Sequence, residues 1–490
     1  MSLTSAGAIA TRSLGVISDQ INLTSRNVAG AGVAGVTTKH ANLESDDAGV
    51  DFIGVGRATD TALFRNLLSA SAYNEAAGAV SDALSRIDKA LNLSDSSNSR
   101  SAASLISKLK GALQTYSATP QNQTAAQLAI SAAQDVAGAL RDATAAAQQE
   151  RRAADEGTAN AVSEVNELLV KFGDLNAEIV RGAVAGADMT DALDRRDSLL
   201  AEITKRIGVT AVNRANNDTV IYTDSGVTLF ETTPRQLTFR QTPTLSPGST
   251  GAAVYIDGVQ VTGAGAPLAL RAGAIVGLMQ IRDDIAPLLQ NQLDEVARGL
   301  VVAFAERDQT GAGGPDLPGL FAYATASQAP AATLLPGLAG QIALNATVDP
   351  GQGGDASRLR DGGISGNPAY VYNTTGAPGY ANRLIELVNA TSKTQSFDPA
   401  AGLGASASVD MLAAGSNGWI AARRQQTESS TTYYGAIVSQ TTQALSNATG
   451  VNLDDQMSQM LALENSYQAS AKLLEAVNSM FNALFAALHA

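Results

Sequence analysis

From Val451 to Ala490 the chain contains no Gly and no Pro. Along it Leu453, Met457, Met460, Glu464, Tyr467, Ala471, Leu474, Asn478, Phe481, Phe485 and Leu488 recur in alternating steps of four and three. That spacing is a heptad seam. A parallel stripe of Leu463, Val477 and Leu484 widens it, with Ser470 as a polar member. An unbroken helix of this length spans roughly 60 Å at about 1.5 Å per residue. No compact domain buries such a terminal helix alone, so it needs a partner. At the other end Leu3, Gly7, Ala10, Leu14, Ile17, Ile21, Thr24 and Val28 keep the same step, with small residues that admit a second backbone. The spacing predicts that the two ends zip into one antiparallel pair, leaving everything between as an excursion. The competing arrangement has each end helix capping the core of its nearest domain.

Composition narrows the rest. A length of 490 residues suits three or four domains. Aromatic residues are 4% of the chain and Trp419 is the one tryptophan, so cores rest on Ala, Leu, Val and Ile, which suits closely packed helices. A formal charge of −13 with no basic block argues against nucleic acid or an anionic membrane as partner. The absence of cysteine excludes disulfides and thiolate metal sites. The start lacks a cationic stretch followed by an apolar block, and no apolar run reaches about 18 residues. Read by these features alone, the chain is a soluble cytoplasmic protein.

Periodicity divides the interior. Residues 65–207, 271–307 and 379–447 read as a helical rod, with Val80, Leu84, Ile87 and Leu91 in one face and Val162, Val165, Leu169, Phe172 and Ile179 in another. Asn92–Asn98 and Thr119-Pro120 break the pattern, as does the stretch 183–189. Residues 208–270 are β-patterned, with turn signals at Asn216–Asp218, Asp224–Gly226 and Asp257-Gly258. Residues 308–378 are rich in Gly and Pro and weakly β, expected to form an outer insertion. Residues 1–64 and 448–490 make a terminal helical unit with its connecting segment, where Phe52, Ile53 and Val55 suit a short strand. The fold class is mainly α with β: long terminal heptad helices, an elongated helical-bundle rod, and one or two small β-rich outer domains.

Catalytic chemistry finds no footing. The two histidines, His40 and His489, lack triad or metal-spaced neighbours. Asp46-Asp47, Asp283-Asp284 and Asp454-Asp455 read as solvated surface or as helix-start charge favoured by the dipole. Gly30–Gly35 spells GxGxxG but follows a helix, the wrong context for a dinucleotide fold. Ser107–Lys110 lacks the companions of a Ser-x-x-Lys enzyme. Gly351–Ala356 is a single copy of a calcium-type Gly-Asp string, whereas such sites need stacked turns. The chain is expected to be no enzyme, with no cofactor and no metal.

Gly450-Val451-Asn452-Leu453-Asp454-Asp455, then Met457, then Ser466-Tyr467-Gln468-Ala469-Ser470-Ala471-Lys472-Leu473, resembles the C-terminal signature of bacterial flagellar axial proteins. Within that class it is most similar to the hook-associated family of the hook–filament junction. Ser25-Arg26-Asn27-Val28-Ala29-Gly30 matches the family's N-terminal helix end, although its second Asn and following Pro-Gly-Tyr turn are absent near residue 35. Arg196-Asp197-Ser198-Leu199-Leu200 leading into β structure is also typical of the family.

The resemblance implies a structural subunit that polymerises through its terminal helices into a ring or tube and joins hook to filament. Its implied partners are copies of itself, the hook protein, the second junction protein and a cytoplasmic export chaperone on the C-terminal helix. It also implies type III export, without a cleaved signal peptide, to the extracellular flagellum. The assembly interface is expected at Leu14, Ile17, Ile21, Asn27, Leu453, Met457, Met460, Leu461, Glu464, Tyr467, Gln468, Ala471, Leu474, Asn478, Phe481 and Phe485. Glu464 and Asn478, polar within the seam, are expected to fix its register. The terminal helices are expected to gain full order only on assembly. Two alternatives stand beside this: a hook or rod protein of the same class, or a secreted calcium-binding adhesin or enzyme carried in 308–378.

Overall fold

The computed structural model describes residues 3–46, 49–92, 99–324 and 327–488. Asp47, His489 and residues 93–98 of the expected break lie outside them. The chain is mainly α with small sheets, as its periodicities require.

Helix α1 (Leu3–Gly30) opens the chain and is followed by an antiparallel hairpin of β1 (Lys39–Asp46) and β2 (Gly49–Arg57). The Phe52–Val55 strand thus has a partner that the sequence hid, because β1 is polar and exposed along most of its length. The GxGxxG string is the turn leaving α1, with Gly32 and Gly35 at φ of 79° and 84°. Side chains rarely tolerate that region, which accounts for the glycines.

Helix α2 (Thr61–Leu91) starts on Asp60, whose carboxylate accepts from the amides of Ala62 and Leu63, and stops at Asn92 in the left-handed region. Helix α3 (Ala102–Ala118) ends at Thr119-Pro120. Helix α4 (Gln123–Val184) then runs unbroken for 62 residues, roughly 90 Å at about 1.5 Å per residue. Alanine supplies much of its buried face, from Ala125 and Ala129 through Ala147 and Ala154, so neighbouring helices approach closely. Helix α5 (Thr190–Arg206) folds back beside its end.

Two three-stranded antiparallel sheets follow: β3 (Val209–Asn213), β4 (Thr219–Thr223) and β5 (Thr228–Phe230), then β6 (Leu237–Thr238), β7 (Tyr255–Ile256) and β8 (Val259–Gln260). Asp257 and Gly258, at φ of 47° and 81°, make the tight β7–β8 turn. Leu237, Val254, Ile256 and Val261 share a core with Val165, Leu169 and Phe172 of α4, and Phe172 meets Phe230 edge-on at 5.2 Å. Helices α6 (Ala274–Gln280) and α7 (Ala286–Ala303) are joined through one π turn, Ile281–Ile285.

That turn holds a correction. Asp283, expected at the surface, pairs with the fully buried Arg282, which also donates to Asp155 at 2.6 Å. Arg151, likewise buried, donates to the carbonyls of Arg282, Ser246 and Ser249 and ties the β unit to the rod. Apart from the adjacent Arg282–Asp283 pair, these partners lie 95 to 131 residues apart in sequence, so local spacing gave no sign of them.

The second correction concerns 308–378. Its backbone is irregular, with only β9 (Phe321–Ala322), α8 (Leu338–Gln341), β10 (Ala343–Leu344), α9 (Arg358–Asp361) and a few 3₁₀ turns as regular pieces. It does not stand outside the rod. Phe321, Leu338, Ile342, Val348 and Leu359 belong to the same core as α4 and α7. Polar anchors reinforce the contact: buried Asp294 accepts from the amides of Gly337 and Ala339, and buried Glu306 from those of Ile364 and Ser365. Asp349 and Asp355 spend their carboxylates capping turns at Gly351 and Ser357.

After α10 (Asn382–Ala390) and a short pair, β11 (Gln395–Ser396) with β12 (Ser406–Ala407), helix α11 (Val409–Thr449) returns along α2, where Tyr73 stacks on Tyr434 at 5.2 Å. Helix α12 (Leu453–Leu488) completes the chain beside α1. Both ends, expected to need assembly for full order, are helical along their described length.

Candidate assembly surface and its seat on the rod

Three contacts fix how α12 lies on α1. Asn27 meets Gln456, Ser13 meets Ser470, and Gly7 lies 3.5 Å (from an ideal Cβ) from Val477. Ascending positions on one helix meet descending positions on the other, so the pair is antiparallel. Gly7 and Ser13 are small enough to let the two backbones close.

The least exposed positions of α12 are Gln456, Met460, Leu463, Ser470, Ala471, Leu474, Val477 and Phe481. Leu463, Ser470 and Val477 of the stripe taken above as a secondary widening therefore face α1, while its Leu484 is 48% exposed, and the expected main seam is split. Met460, Leu474 and Phe481 lie on the α1 side, and Ala471 is half-buried. Leu453, Met457, Leu461, Tyr467 and Phe485 are exposed by 45% to 58%, and Glu464, Gln468 and Asn478 are exposed too. On α1, Ile17 is buried and Leu14 and Ile21 are half-buried, as the spacing requires.

Register is held by different residues from those expected. Glu464 and Asn478 are at the surface. Asn27 is buried, donates to the side chain of Gln456 and to the carbonyl of Lys39 at 2.8 Å each, and accepts from the Lys39 amide. A slip of one residue would leave these buried amides unpaired, at about 1–3 kcal/mol for each stranded group. Asn27 thus works inside the chain. The opposite side of α1, with buried Val16 and Leu23, lies under the hairpin, and Arg12 pairs with Asp46 and Asp51 near its tip. The terminal unit is three layers deep: α12, α1, hairpin.

The terminal unit meets the rod through charge. Asp188, Asp191, Asp194 and Asp197 recur every third residue into α5. Arg26 pairs with Asp188 and Asp191, Lys39 with Asp191 and Asp194, and Arg57 with Asp194 and Asp197. Lys39 and Arg57 are directly opposite each other in the hairpin, which sets their spacing. Asp194 also accepts from the amide and hydroxyl of Thr37. Burial alone would raise its carboxyl, but the bonds from Lys39, Arg57 and Thr37 outweigh that and hold it below the usual carboxylate range. Arg196 points the other way and donates to Asn176 and to the Asn217 carbonyl, with burial lowering its guanidinium to about 10. The Arg-Asp-x-Leu-Leu helix is thus a joint, its Arg serving the rod and its Asp the terminal unit. Beside it Thr38 donates to the carbonyls of Thr449 and Gly450, tying the two chain crossings together. Sequence reading missed this ladder, although its signal, an Asp every third residue, was present.

Among the described residues no group of three or more metal-ligating side chains occurs, and no helix is long and apolar enough to cross a membrane.

Comparison with known proteins fits this geometry. Residues 442–486 match the C-terminal model of flagellar basal body rod FlgEFG proteins. Paired end helices carrying that match place the chain in the class of flagellar axial proteins. Residues 84–320 match the helical domain of flagellar hook-associated protein FlgK. The two matches mark a hook-associated FlgK helical domain over 84–320 and a flagellar axial C-terminal segment over 442–486. It is 23% identical over 304 residues to flagellar hook-associated protein 1 of Escherichia coli, covering 59% of this chain and 54% of that one. Its identity to the Salmonella typhimurium protein of the same name is 25% over 299 residues, covering 58% and 53%. The chain spans about half the length of the curated relatives it matches. Among solved structures, the hook junction protein FlgK of Burkholderia pseudomallei matches at 21% identity and a TM-score of 0.42, over 53% of this chain and 47% of that one.

Proposed function

We propose that this chain is a structural subunit of the bacterial flagellum that joins hook to filament, polymerising through its terminal unit. One observation carries the reading: α12 uses one stripe against α1 and leaves a second, with Leu453, Met457 and Leu461, open to solvent. Exposed apolar rows of this kind mark interaction surfaces. On this reading the outward residues of α12 meet neighbouring copies in a ring or tube, with hook protein on one side and the second junction protein on the other. Asn27 and Ile17 contribute by shaping the pair. An export chaperone covering α12 before secretion suits the same stripe, as does a final location outside the cell. The FlgK-type helical domain supports a junction subunit over a hook or rod subunit. The packing of 308–378 into the rod core gives no footing to a separate adhesin or enzyme module.

The test is a Met457→Asp/Leu461→Asp double variant. Its monomer is expected to keep the wild-type circular dichroism and melting curve. In cells lacking the wild-type chain it is expected not to be retained on isolated hooks. Retention at the wild-type level would overturn the assembly role of this face.

A further inference from the structure

The joint between terminal unit and rod has a regularity that simple attachment does not need. Each of its three cations straddles two consecutive carboxylates: Arg26 spans Asp188 and Asp191, Lys39 spans Asp191 and Asp194, and Arg57 spans Asp194 and Asp197. Four rungs and three gaps are filled in order. No residue of α1, α12 or the hairpin belongs to any of the hydrophobic clusters of the described residues, so the joint has no apolar core of its own. The covalent links to the rod are two short crossings, 58–60 and 450–452.

An apolar joint is keyed, because each side chain fits one socket. A ladder of like charges is less strictly keyed, since each gap offers a cation two carboxylates, with Asp194 pinned in addition by Thr37. We propose that the Asp188–Asp197 ladder is an adjustable seat, on which the terminal unit shifts and tilts by exchanging its cations between rungs. Within α5 three residues of helix separate Asp191, Asp194 and Asp197, so one step there is about 4.5 Å, and Asp188 extends the row just ahead of the helix. A one-rung shift keeps two of the three cations in equivalent gaps. The Arg26 end of the ladder is the more open to water, with Arg26 exposed by 43% and Asp191 by 66%, whereas Arg57 at the other end is exposed by 12% and Lys39 and Asp194 at the centre are sealed. Exchange therefore begins at the Arg26 end. The device concerns the free chain and does not depend on what the terminal unit binds.

The absence of cysteine makes the test direct. Spin labels at Asn22→Cys on α1 and Lys171→Cys on α4 report the distance across the joint, and a Gln149→Cys/Lys171→Cys pair within α4 is the control. Distance distributions are measured by double electron–electron resonance at about 10 mM and about 1 M salt, where the screening length falls from about 30 Å to about 3 Å. High salt is expected to broaden the joint distribution and to add a component displaced by about 4.5 Å. Asp191→Asn, at an exposed rung, is expected to do the same at low salt. In both cases the control stays unchanged. A joint distribution indifferent to salt and to Asp191→Asn would overturn the proposal, as would an equal broadening of the control.

Discussion

Helices α4 and α12 are both long and uninterrupted, yet they stand in opposite relations to water. α4 is covered along its length by α3, α5, α6, α7 and the irregular segment 308–378. α12 has one neighbour helix, and among its described residues only Gln456 and Val477 are buried. Each helix turns one stripe toward a neighbouring helix. The difference is the second stripe, which on α4 is satisfied within the chain and on α12 is left open. A helix that is apolar on two sides is built for two partners, and this chain supplies α12 with one.

The contrast yields a graded set of expectations. Phe172→Ala removes a fully buried ring from the contact between α4 and the β unit and is expected to cost about 3–5 kcal/mol. Amide exchange should then accelerate across α4 and β3–β5 while α1 and α12 keep their rates. Equal acceleration at the ends would show that the two regions unfold as one.

Next in size is a pH effect confined to the rod. Burial raises the carboxyl of Asp294 to about 6 despite the amides that bond to it. The native pKa lies above the unfolded one, so protonation favours the folded chain. That stabilisation is complete below the unfolded pKa near 3.8 and is lost as pH rises through about 6. Going from about pH 7 to about pH 5 should therefore add on the order of 1 kcal/mol to rod stability, read from thermal melts. Asp294→Asn should flatten that slope, and an unaltered slope would remove Asp294 from the account.

Of similar size but at the other site, Asn27→Ala leaves Gln456 buried without its amide partner and should cost about 1–3 kcal/mol. Hydrogen exchange should rise in α1, in α12 and at Lys39 of the hairpin, with the rod unchanged. Smallest of all, Leu461→Ser on the open stripe should shift monomer stability by no more than about 0.5 kcal/mol. A large loss there would mean that the stripe is already covered within the chain.

How much of this was legible depends on the range of the cause. Heptad steps exposed both end helices and their pairing, because a periodicity repeated over ten turns outweighs local noise. Turn chemistry marked the β unit, where Asp257-Gly258 could mean little else. What spacing could not decide was which of two parallel stripes on α12 faces inward. That choice rests on Gly7 and Ser13 across the seam, and no reading of α12 alone contains them. The same holds for Arg282 with Asp155 and for Asp294 beneath α8: each is a buried charge whose partner is remote in sequence, and isolated charges read as surface. The acid ladder is the reverse case. Its signal is local and regular, but it carries meaning only once Lys39 and Arg57 are placed opposite it.

The Asn27–Gln456 pair has a consequence for how the protein is made. Its two halves are separated by 429 residues of chain. During synthesis α1 emerges long before α12, while α2 to α11 lie between them and have their own core to close. The pair, and with it the surface proposed for other copies, therefore forms only after the rod segments have been made, and a chain interrupted before α12 lacks that proposed surface.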